Sequence, residues 1–281
     1  MNSNRRLLAV LAHPDDESFG MGGTLALYAQ QGVDVHLICA TRGEVGETPP
    51  DFVRNDSAIA ELRMDELRCA GLILGLKMVH FLNYRDSGMP GSEDNQHPRA
   101  LTAAPMEQVA SEIARYIREI QPQVVLTFDP FGGYGHPDHI AIQRATERAF
   151  FLAGEKTAID SLAPYQAQKL YFHTFPHRSL NVLVRILSLF GKNPRKWGRN
   201  HDIDLLEITE HSYPVHAQIN FRSVAKLKDQ ASACHQSQLM PGSSGLLWSV
   251  LRIFSGPESF MRANPPGTPK TRERDLFVDV E

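Results

Sequence analysis

Short apolar runs alternate with segments of helical periodicity over the first 130 residues of this chain. The apolar runs are predicted strands, at Leu7–Ala12, Val33–Ala40, Met78–Leu82 and Val124–Phe128. The segments between them are predicted helices, at Gly20–Gln31, Ser57–Leu74 and Pro105–Ile120. Parallel strands need helical crossovers, and sheets built in this way are covered on both faces. The alternation therefore predicts an α/β fold with a mostly parallel sheet and helices on both faces.

The second half of the chain follows a less regular pattern. Lys169–Phe175 and Asp202–Ile208 are predicted strands, and His216–His235 is a predicted helix. Two further segments, Leu180–Phe190 and Gly245–Phe254, are strongly apolar and fit no assigned element. They are interpreted as a lid, a subunit contact or a pocket for an apolar group, or alternatively as ordinary core helices.

The size of the chain is consistent with one domain. Its 281 residues, 42% of them hydrophobic, can bury a large core, and the sequence has neither an internal repeat nor a linker-like segment. We expect a single domain over residues 1–281, with a motif-bearing half at 1–150 and a C-terminal part at 151–281 that shapes the substrate pocket. The sequence is compatible with a monomer or a homo-oligomer.

Charge and cysteine content narrow the class of protein. The formal net charge is −3, and the sequence gives no sign of the basic face that is typical of nucleic-acid-binding proteins. We therefore expect no nucleic-acid partner. The three cysteines, Cys39, Cys69 and Cys234, have no CxxC spacing and are predicted to be buried thiols in a reducing compartment. Since no signal peptide and no membrane-spanning run is recognisable, we expect a cytoplasmic protein.

Two histidine-rich segments follow predicted strands. His13-Pro14-Asp15-Asp16 comes after the first strand, and His136-Pro137-Asp138-His139 comes after the fourth. Ligands of open α/β sheets bind outside the carboxyl ends of the strands. The two segments are therefore predicted to converge at one rim of the sheet.

The residue types in these segments fit a metal-dependent hydrolase. His13, Asp16 and His139 supply two imidazoles and one carboxylate, a common catalytic zinc set that leaves a position open for water. Such a metal supplies hydroxide near neutral pH and polarises a carbonyl. Asp15 is a candidate general base for the attacking water. His136 is a candidate to stabilise the oxyanion and protonate the leaving amine, with Asp138 fixing its protonation.

Simpler interpretations apply to each segment taken alone. A single His-Pro pair is usually a turn, which is the interpretation for His97-Pro98, and an Asp after a strand often caps the next helix. Two His-Pro-Asp segments, each after a predicted strand, favour a functional site. The glycines near Gly20 raise a dinucleotide-binding alternative, but the third glycine of that fingerprint is replaced by Leu25, and the preceding loop is acidic.

The motifs resemble those of one known family. Ala12–Glu17, Thr41–Glu44 and Gly132–His139 closely resemble the LmbE-like or PIG-L family of zinc-dependent N-deacetylases. The resemblance is strongest over residues 5–140, and most similar is the bacterial branch acting on N-acetylglucosaminyl conjugates, which includes mycothiol-pathway enzymes. It implies a Rossmann-like fold, removal of an N-acetyl group from an aminosugar, and Zn²⁺ as the metal, with Fe²⁺ as an alternative in the cell.

The resemblance also implies roles for individual residues. By motif position, His13, Asp16 and His139 match the metal ligands of the family, and Asp15 matches its general base. His136 matches the residue that stabilises the tetrahedral intermediate, with Asp138 tuning it. Tyr134 matches a tyrosine that moves over the substrate carbonyl. Arg63 and Asp86 match residues that contact the sugar or order the site.

Three other functions are compatible with parts of the pattern. An amidase cleaving a larger amide, such as a thiol conjugate, uses the same chemistry. A ferrous oxygenase also binds its metal through two His and a carboxylate, but such enzymes are usually β-rich. A non-catalytic sugar-binding protein has no need for both Asp15 and His136.

Overall fold

The computed structural model describes residues 5–46, 48, 55–156, 159–174, 177–196, 203–239 and 256–281. In these residues the strands are β1 Arg6–Leu11, β2 Asp34–Thr41, β3 Met78–Tyr84, β4 Val124–Phe128, β5 Lys169–Thr174, β6 Ala217–Ile219 and β7 Glu258–Asn264. The helices are α1 Asp16–Phe19, α2 Gly22–Gln30, α3 Asp56–Leu74, α4 Met106–Ile120, α5 Gly132–Gly135, α6 Pro137–Leu152, α7 His177–Leu189, α8 Leu205–Glu210 and α9 Ala225–Cys234. Short 3-10 helices lie at Glu93–Gln96, Leu101–Ala103 and Arg222–Val224.

The strands form one sheet in the order β3-β2-β1-β4-β5-β7-β6. The first five strands pair in parallel, and β7 runs antiparallel to both β5 and β6. Every side chain from Leu7 to Leu11 in strand β1, which lies inside the sheet between β2 and β4, is at most 1% exposed. Because neighbouring side chains of a strand point to opposite faces, both faces of the sheet are covered. The predicted mostly parallel α/β fold is confirmed.

Most strands and helices of the first half lie where the sequence predicts them. The predicted helix Gly20–Gln31 is shortened to α2, and a separate turn of helix, α1, precedes it. The predicted strand from Lys169 is confirmed up to Thr174 as β5.

Two predictions in the second half are wrong. The predicted strand ending at Ile208 is helix α8, because the Asp204 carboxylate accepts hydrogen bonds from the amides of Leu206 and Glu207 and so caps a helix. The segment from His216 begins as strand β6, since pairing with β7 stabilises an extended chain there, and the α-helix α9 starts only at Ala225. The apolar segment Leu180–Phe190 is helix α7 and the residue after it, whereas Gly245–Phe254 lies outside the described residues.

The cysteine prediction is wrong for two of the three residues. Cys39 is a buried free thiol, as predicted, but Cys69 and Cys234 form a disulfide. The pairing joins α3 to the end of α9 across a sequence separation of 165 residues. No short cysteine motif reveals such a pair, because only packing of the two helices brings the thiols together.

The last strand also contacts the first helices. The Glu258 carboxylate at the start of β7 accepts hydrogen bonds from the amides of Gly23 (3.0 Å) and Thr24 (2.7 Å) in the first turn of α2. Lys228 of α9 pairs with the same carboxylate at 2.6 Å. Within the described part of the chain, no helix has the length and apolar character needed to cross a membrane.

Candidate metal centre and active site

The two histidine-rich segments meet where β1 and β4 end. After β4, the Asp129 carboxylate accepts hydrogen bonds from the amides of Phe131 and Gly133, both at 3.0 Å, and these bonds shape the α5 turn. Gly132 has φ +70°, and a Cβ there would lie 2.8 Å from Cβ of His139, so the close approach requires glycine. His136 then caps α6, its Nδ1 accepting from the amide of Asp138 at 3.2 Å.

Three donor atoms of the predicted ligand set face one another. His13 Nδ1 lies 3.1 Å from His139 Nε2, and Asp16 oxygens lie 3.2 Å from His139 Nε2 and 3.6 Å from His13 Nδ1. Bonds of about 2.0–2.1 Å to a tetrahedral zinc ion place its donors about 3.3 Å apart. The three residues therefore fit a zinc-sized cation, and the carboxylates of Asp15, Asp86 and Asp138 nearby add negative charge that favours it.

The outward-facing nitrogens of both imidazoles are held by acceptors. Asp138 Oδ2 contacts His13 Nε2 at 3.1 Å, and the Gly132 carbonyl contacts His139 Nδ1 at 3.0 Å. Asp16 is also fixed, because its carboxylate accepts a hydrogen bond from the amide of His13 at 2.7 Å. Acceptors of this kind set the tautomer and orientation of metal-binding histidines.

The position of Asp138 corrects one expectation. Its carboxylate was expected to support His136, but it lies on His13 and on the amide of Ser87 (2.9 Å). Its second oxygen is buried and has no hydrogen-bond partner among the described residues. Asp138 hydrogen-bonds to His136 through its backbone amide, which is part of the helix cap.

His136 lies close to the same group of donors. Its ring centroid is 4.5 Å from that of His13 and 5.0 Å from that of His139, and nitrogen atoms of the three rings fall within 4.8 Å of one another. By distance alone His136 is thus a competing third donor. Asp16 is preferred because it supplies a carboxylate whose oxygens lie 3.2 Å from His139 Nε2 and 3.6 Å from His13 Nδ1. Burial, together with His13 and His139, lowers the pKa of His136 well below its usual value, so its ring is neutral.

Asp15 adopts a backbone conformation that is rare outside glycine, with φ 129° and ψ −27°. Its carboxylate, 17% exposed, accepts a hydrogen bond from Arg63 Nη2 at 3.1 Å. Arg63 is itself held by the carbonyls of Pro14 (2.8 Å) and Gly43 (2.7 Å). Burial raises the pKa of Asp15 to about 6, although Arg63 opposes the shift. A carboxyl group with this pKa can both accept and release a proton near neutral pH.

A buried pair behind Asp15 was not found from the sequence. Glu17 and His235 are both fully buried and lie 2.7 Å apart, and the other Glu17 oxygen accepts from the Asp15 amide at 3.1 Å. Although burial opposes it, Glu17 raises the pKa of His235. The two residues are 218 positions apart, so no local pattern in the sequence could pair them.

A cleft of about 480 Å³ opens above these residues. Six residues predicted for the site line it: His13, Asp15, Arg63, Asp86, Tyr134 and His136. Asp16, Asp138 and His139 lie beneath, in contact with His13. All nine predicted residues are thus brought together, and Met89, Ser92, Ile203 and Gln238 are lining residues that sequence reasoning did not identify.

Asp86 and Tyr134 contact different histidines of the site. Asp86 Oδ1 is 3.5 Å from His13 Nε2, and the Asp86 carboxylate also accepts from the amide of Gly88. The Tyr134 ring lies 5.0 Å from that of His139 and 5.9 Å from that of His136. Burial raises the pKa of Tyr134, so its hydroxyl stays protonated and can donate a hydrogen bond into the cleft.

The chain is similar to known proteins over its whole length. A family described as "PIG-L: GlcNAc-PI de-N-acetylase" matches residues 8–150. The 1D-myo-inositol 2-acetamido-2-deoxy-alpha-D-glucopyranoside deacetylase of Streptomyces griseus subsp. griseus is 44% identical over 291 residues, covering 98% of this chain and 89% of that protein. The protein of that name from Kineococcus radiotolerans is 44% identical over 209 residues, 68% of this chain and 58% of that protein.

Solved structures share the fold. The N,N'-diacetylchitobiose deacetylase from Pyrococcus horikoshii, determined with its inhibitor MPG, superposes with a TM-score of 0.65 at 20% identity, covering 99% of this chain and 87% of that chain.

Proposed function

Because the chain belongs to the PIG-L family, we propose that it is a metal-dependent deacetylase that hydrolyses the acetamide of an N-acetylglucosamine-type sugar or its conjugate. The observation that carries this proposal is the triangle of donor atoms from His13, Asp16 and His139 at the floor of the cleft, with the Asp15 carboxylate beside it. The relatives are named for an acetamido sugar linked to myo-inositol, so a sugar–cyclitol conjugate is the proposed substrate class.

The proposed ligands of the metal are His13, Asp16 and His139, and zinc is the proposed ion. A bound zinc ion supplies a Lewis acid for the carbonyl and lowers the pKa of water at the open position. Asp138 and the Gly132 carbonyl then hold the two imidazoles in the tautomers that leave Nδ1 of His13 and Nε2 of His139 free to bind.

The remaining residues divide the proton transfers and the charge stabilisation. Asp15, with its pKa raised to about 6, takes the proton of the attacking water and returns it to the departing amine. Neutral His136 and protonated Tyr134 donate hydrogen bonds to the oxyanion that forms when the carbonyl is attacked. His136 was also expected to protonate the amine; its lowered pKa favours Asp15 for that step.

Two variants separate the proton-transfer role from the ligand role. Asp15→Asn keeps the shape of the side chain, so we expect it to retain bound metal while amine release falls by about 10²–10⁴-fold. His139→Ala should lower the metal-to-protein ratio measured by elemental analysis. His97→Ala, in the His-Pro pair outside the site, is the matched control and should change neither quantity. Near-native rates of amine release in Asp15→Asn would exclude Asp15 as the general base.

The substrate class is tested by product analysis. Zinc-loaded protein is incubated with N-acetylglucosamine, its inositol conjugate and N,N'-diacetylchitobiose, and acetate and free amine are measured together. We expect equal amounts of acetate and amine, with the fastest release from the inositol conjugate. An amine product without acetate would indicate cleavage of a larger amide instead.

A further inference from the structure

The outer face of α7 carries large apolar side chains that are exposed. Val182 is 55% exposed, Ile186 44%, Leu189 84% and Phe190, directly after the helix, 79%. Their spacing of four, seven and eight residues from Val182 places them on one side of a helix. They therefore form a continuous apolar stripe, which we term the α7 stripe.

The α7 stripe is not the side of the helix that packs on the protein. On the inward side, Val184 forms a small core with Leu205 and Ile208 of α8, separate from the main core. Tyr134 and Ile203, which line the cleft, pack against this small core. The helix is thus anchored one layer of side chains from the active site, and it has a second apolar face left over.

The sequence of α7 and of the residues that follow it is rich in positive charge. The sequence contains no Asp or Glu between Asp160 and Asp202, but six Lys or Arg from Arg178 to Arg199, in a chain whose net charge is −3. Of these, Arg185 within the helix and Lys192 just beyond it are exposed. Arg195 pairs with Asp204 at 2.7 Å. The exposed acidic residues Glu207 and Glu210 belong to α8, which packs on the inward side of α7, so the positive charge beside the stripe rests on Arg185 and Lys192.

We propose that the α7 stripe and its basic residues dock the protein onto an anionic lipid surface. A helix with apolar residues on one side and Lys or Arg beside them lies in the plane of a bilayer interface, with the apolar residues among the acyl chains and the cations at the headgroups. A second copy of this chain would bring two basic stripes together. A neutral apolar partner would leave Arg185 and Lys192 without opposite charge. The charge pattern therefore favours anionic lipid over both.

The docking is tested by sedimentation of the full-length protein with vesicles. Vesicles of phosphatidylcholine mixed with phosphatidylglycerol should pull down the protein at low salt, and vesicles of phosphatidylcholine alone should bind it several-fold less. Arg185→Gln and Lys192→Gln should each weaken binding about fivefold, the factor that corresponds to one surface cation. High salt should also weaken binding to the anionic vesicles, because it screens the attraction between the cations and the headgroups.

A matched pair of variants tests the apolar contribution. Leu189→Ser with Phe190→Ser should abolish sedimentation with the anionic vesicles. Leu72→Ser, at an 82% exposed leucine on α3, removes a similarly exposed side chain elsewhere and should leave binding unchanged. Amine release from a soluble acetamido sugar should stay unchanged in all of these variants, so failure of the docking and failure of the proposed activity are read separately.

Three results would overturn the docking. They are absence of vesicle binding by the unaltered protein, equal binding to neutral and anionic vesicles, and equal loss of binding in Leu72→Ser. Concentration-dependent dimers in solution that disappear in the Leu189→Ser, Phe190→Ser variant would assign the stripe to a second copy of the chain instead.

Discussion

Asp15 illustrates how single residues set up this site. A backbone at φ 129° costs a non-glycine residue about 1–3 kcal/mol, and it persists only where surrounding contacts fix it. Arg63 fixes the carboxylate, and Glu17 fixes the amide. Glu17 is fully buried, and His235 holds its other carboxylate oxygen at 2.7 Å. The orientation of the proposed base thus depends on a residue more than 200 positions away in the sequence.

Removing His235 tests this dependence at the residue scale. His235→Ala should lower kcat by about 10²-fold, because small displacements of reacting groups are costly, while KM and bound metal change little. His235→Gln keeps a donor toward Glu17 and should restore most of the rate. Kinetic constants, elemental analysis and thermal melts distinguish this from general unfolding. An unchanged kcat in His235→Ala would show that Asp15 is positioned without it.

The site was predictable from the sequence to the extent that strand ends are predictable. His13 and His139 could be placed together because each follows an apolar strand of a parallel sheet. The partners of Asp138 and Glu17 could not, because the direction of a carboxylate depends on packing between distant segments. A short motif therefore predicts which residues share a site, but it does not predict their hydrogen-bond partners.

At the scale of the elements, β5 contains a histidine that links stability to pH. His173 is 7% exposed, and burial lowers its pKa to about 4. The unfolded chain takes up a proton near pH 6.5, but the folded protein does not until lower pH. The contribution of the neutral His173 ring to the free energy of unfolding is therefore fully present above pH 6.5 and is lost as the pH falls toward 4.

His173→Gln removes this titration. Between pH 7.5 and pH 4 the variant should lose less unfolding free energy than the unaltered protein, by up to about 3 kcal/mol. Urea denaturation at several pH values measures the difference, and His97→Gln, outside the sheet, is the control. Parallel pH profiles for the His173 variant and the unaltered protein would contradict the assignment.

The same scale shows where sequence patterns fail. α3 and α4 were predicted because their helical periodicity is a local property of the sequence. β6 has only three residues and exists because β7, about 40 residues later, supplies its partner. Asp204 has the residue type of a helix cap, yet the apolar run after it resembled a strand. Short elements follow long-range pairing and capping more than their own composition.

At the scale of the whole molecule, a disulfide joins the two halves. Cys69–Cys234 connects α3, which carries Arg63, to the chain just before His235. This contact and the Glu258 cap on α2 favour the single domain over residues 1–281, which stays a prediction. A cytoplasmic location also stays a prediction. The disulfide removes one reason for it, which was the expectation that all three cysteines are reduced thiols.

Reduction of this disulfide should destabilise the protein. The chain-entropy model gives up to about 5 kcal/mol for a loop closed across 165 residues, so we expect a lower Tm in the presence of a reductant. Cys69→Ser should show the lower Tm with or without reductant. Cys39→Ser, which leaves the pair intact, should still respond to it. A Tm of the unaltered protein that is insensitive to full reduction would contradict this contribution.

The Glu258 carboxylate has a consequence for biosynthesis. The amides that it caps in α2 leave the ribosome 235 residues before Glu258 itself. At about 5–20 residues per second, that interval lasts on the order of tens of seconds. During it, the first strand and helix of the nascent chain have neither their cap nor the completed sheet. The active-site loop between them therefore reaches its final shape only after Glu258 has been synthesised, and early chaperone contact is expected to concentrate on this segment.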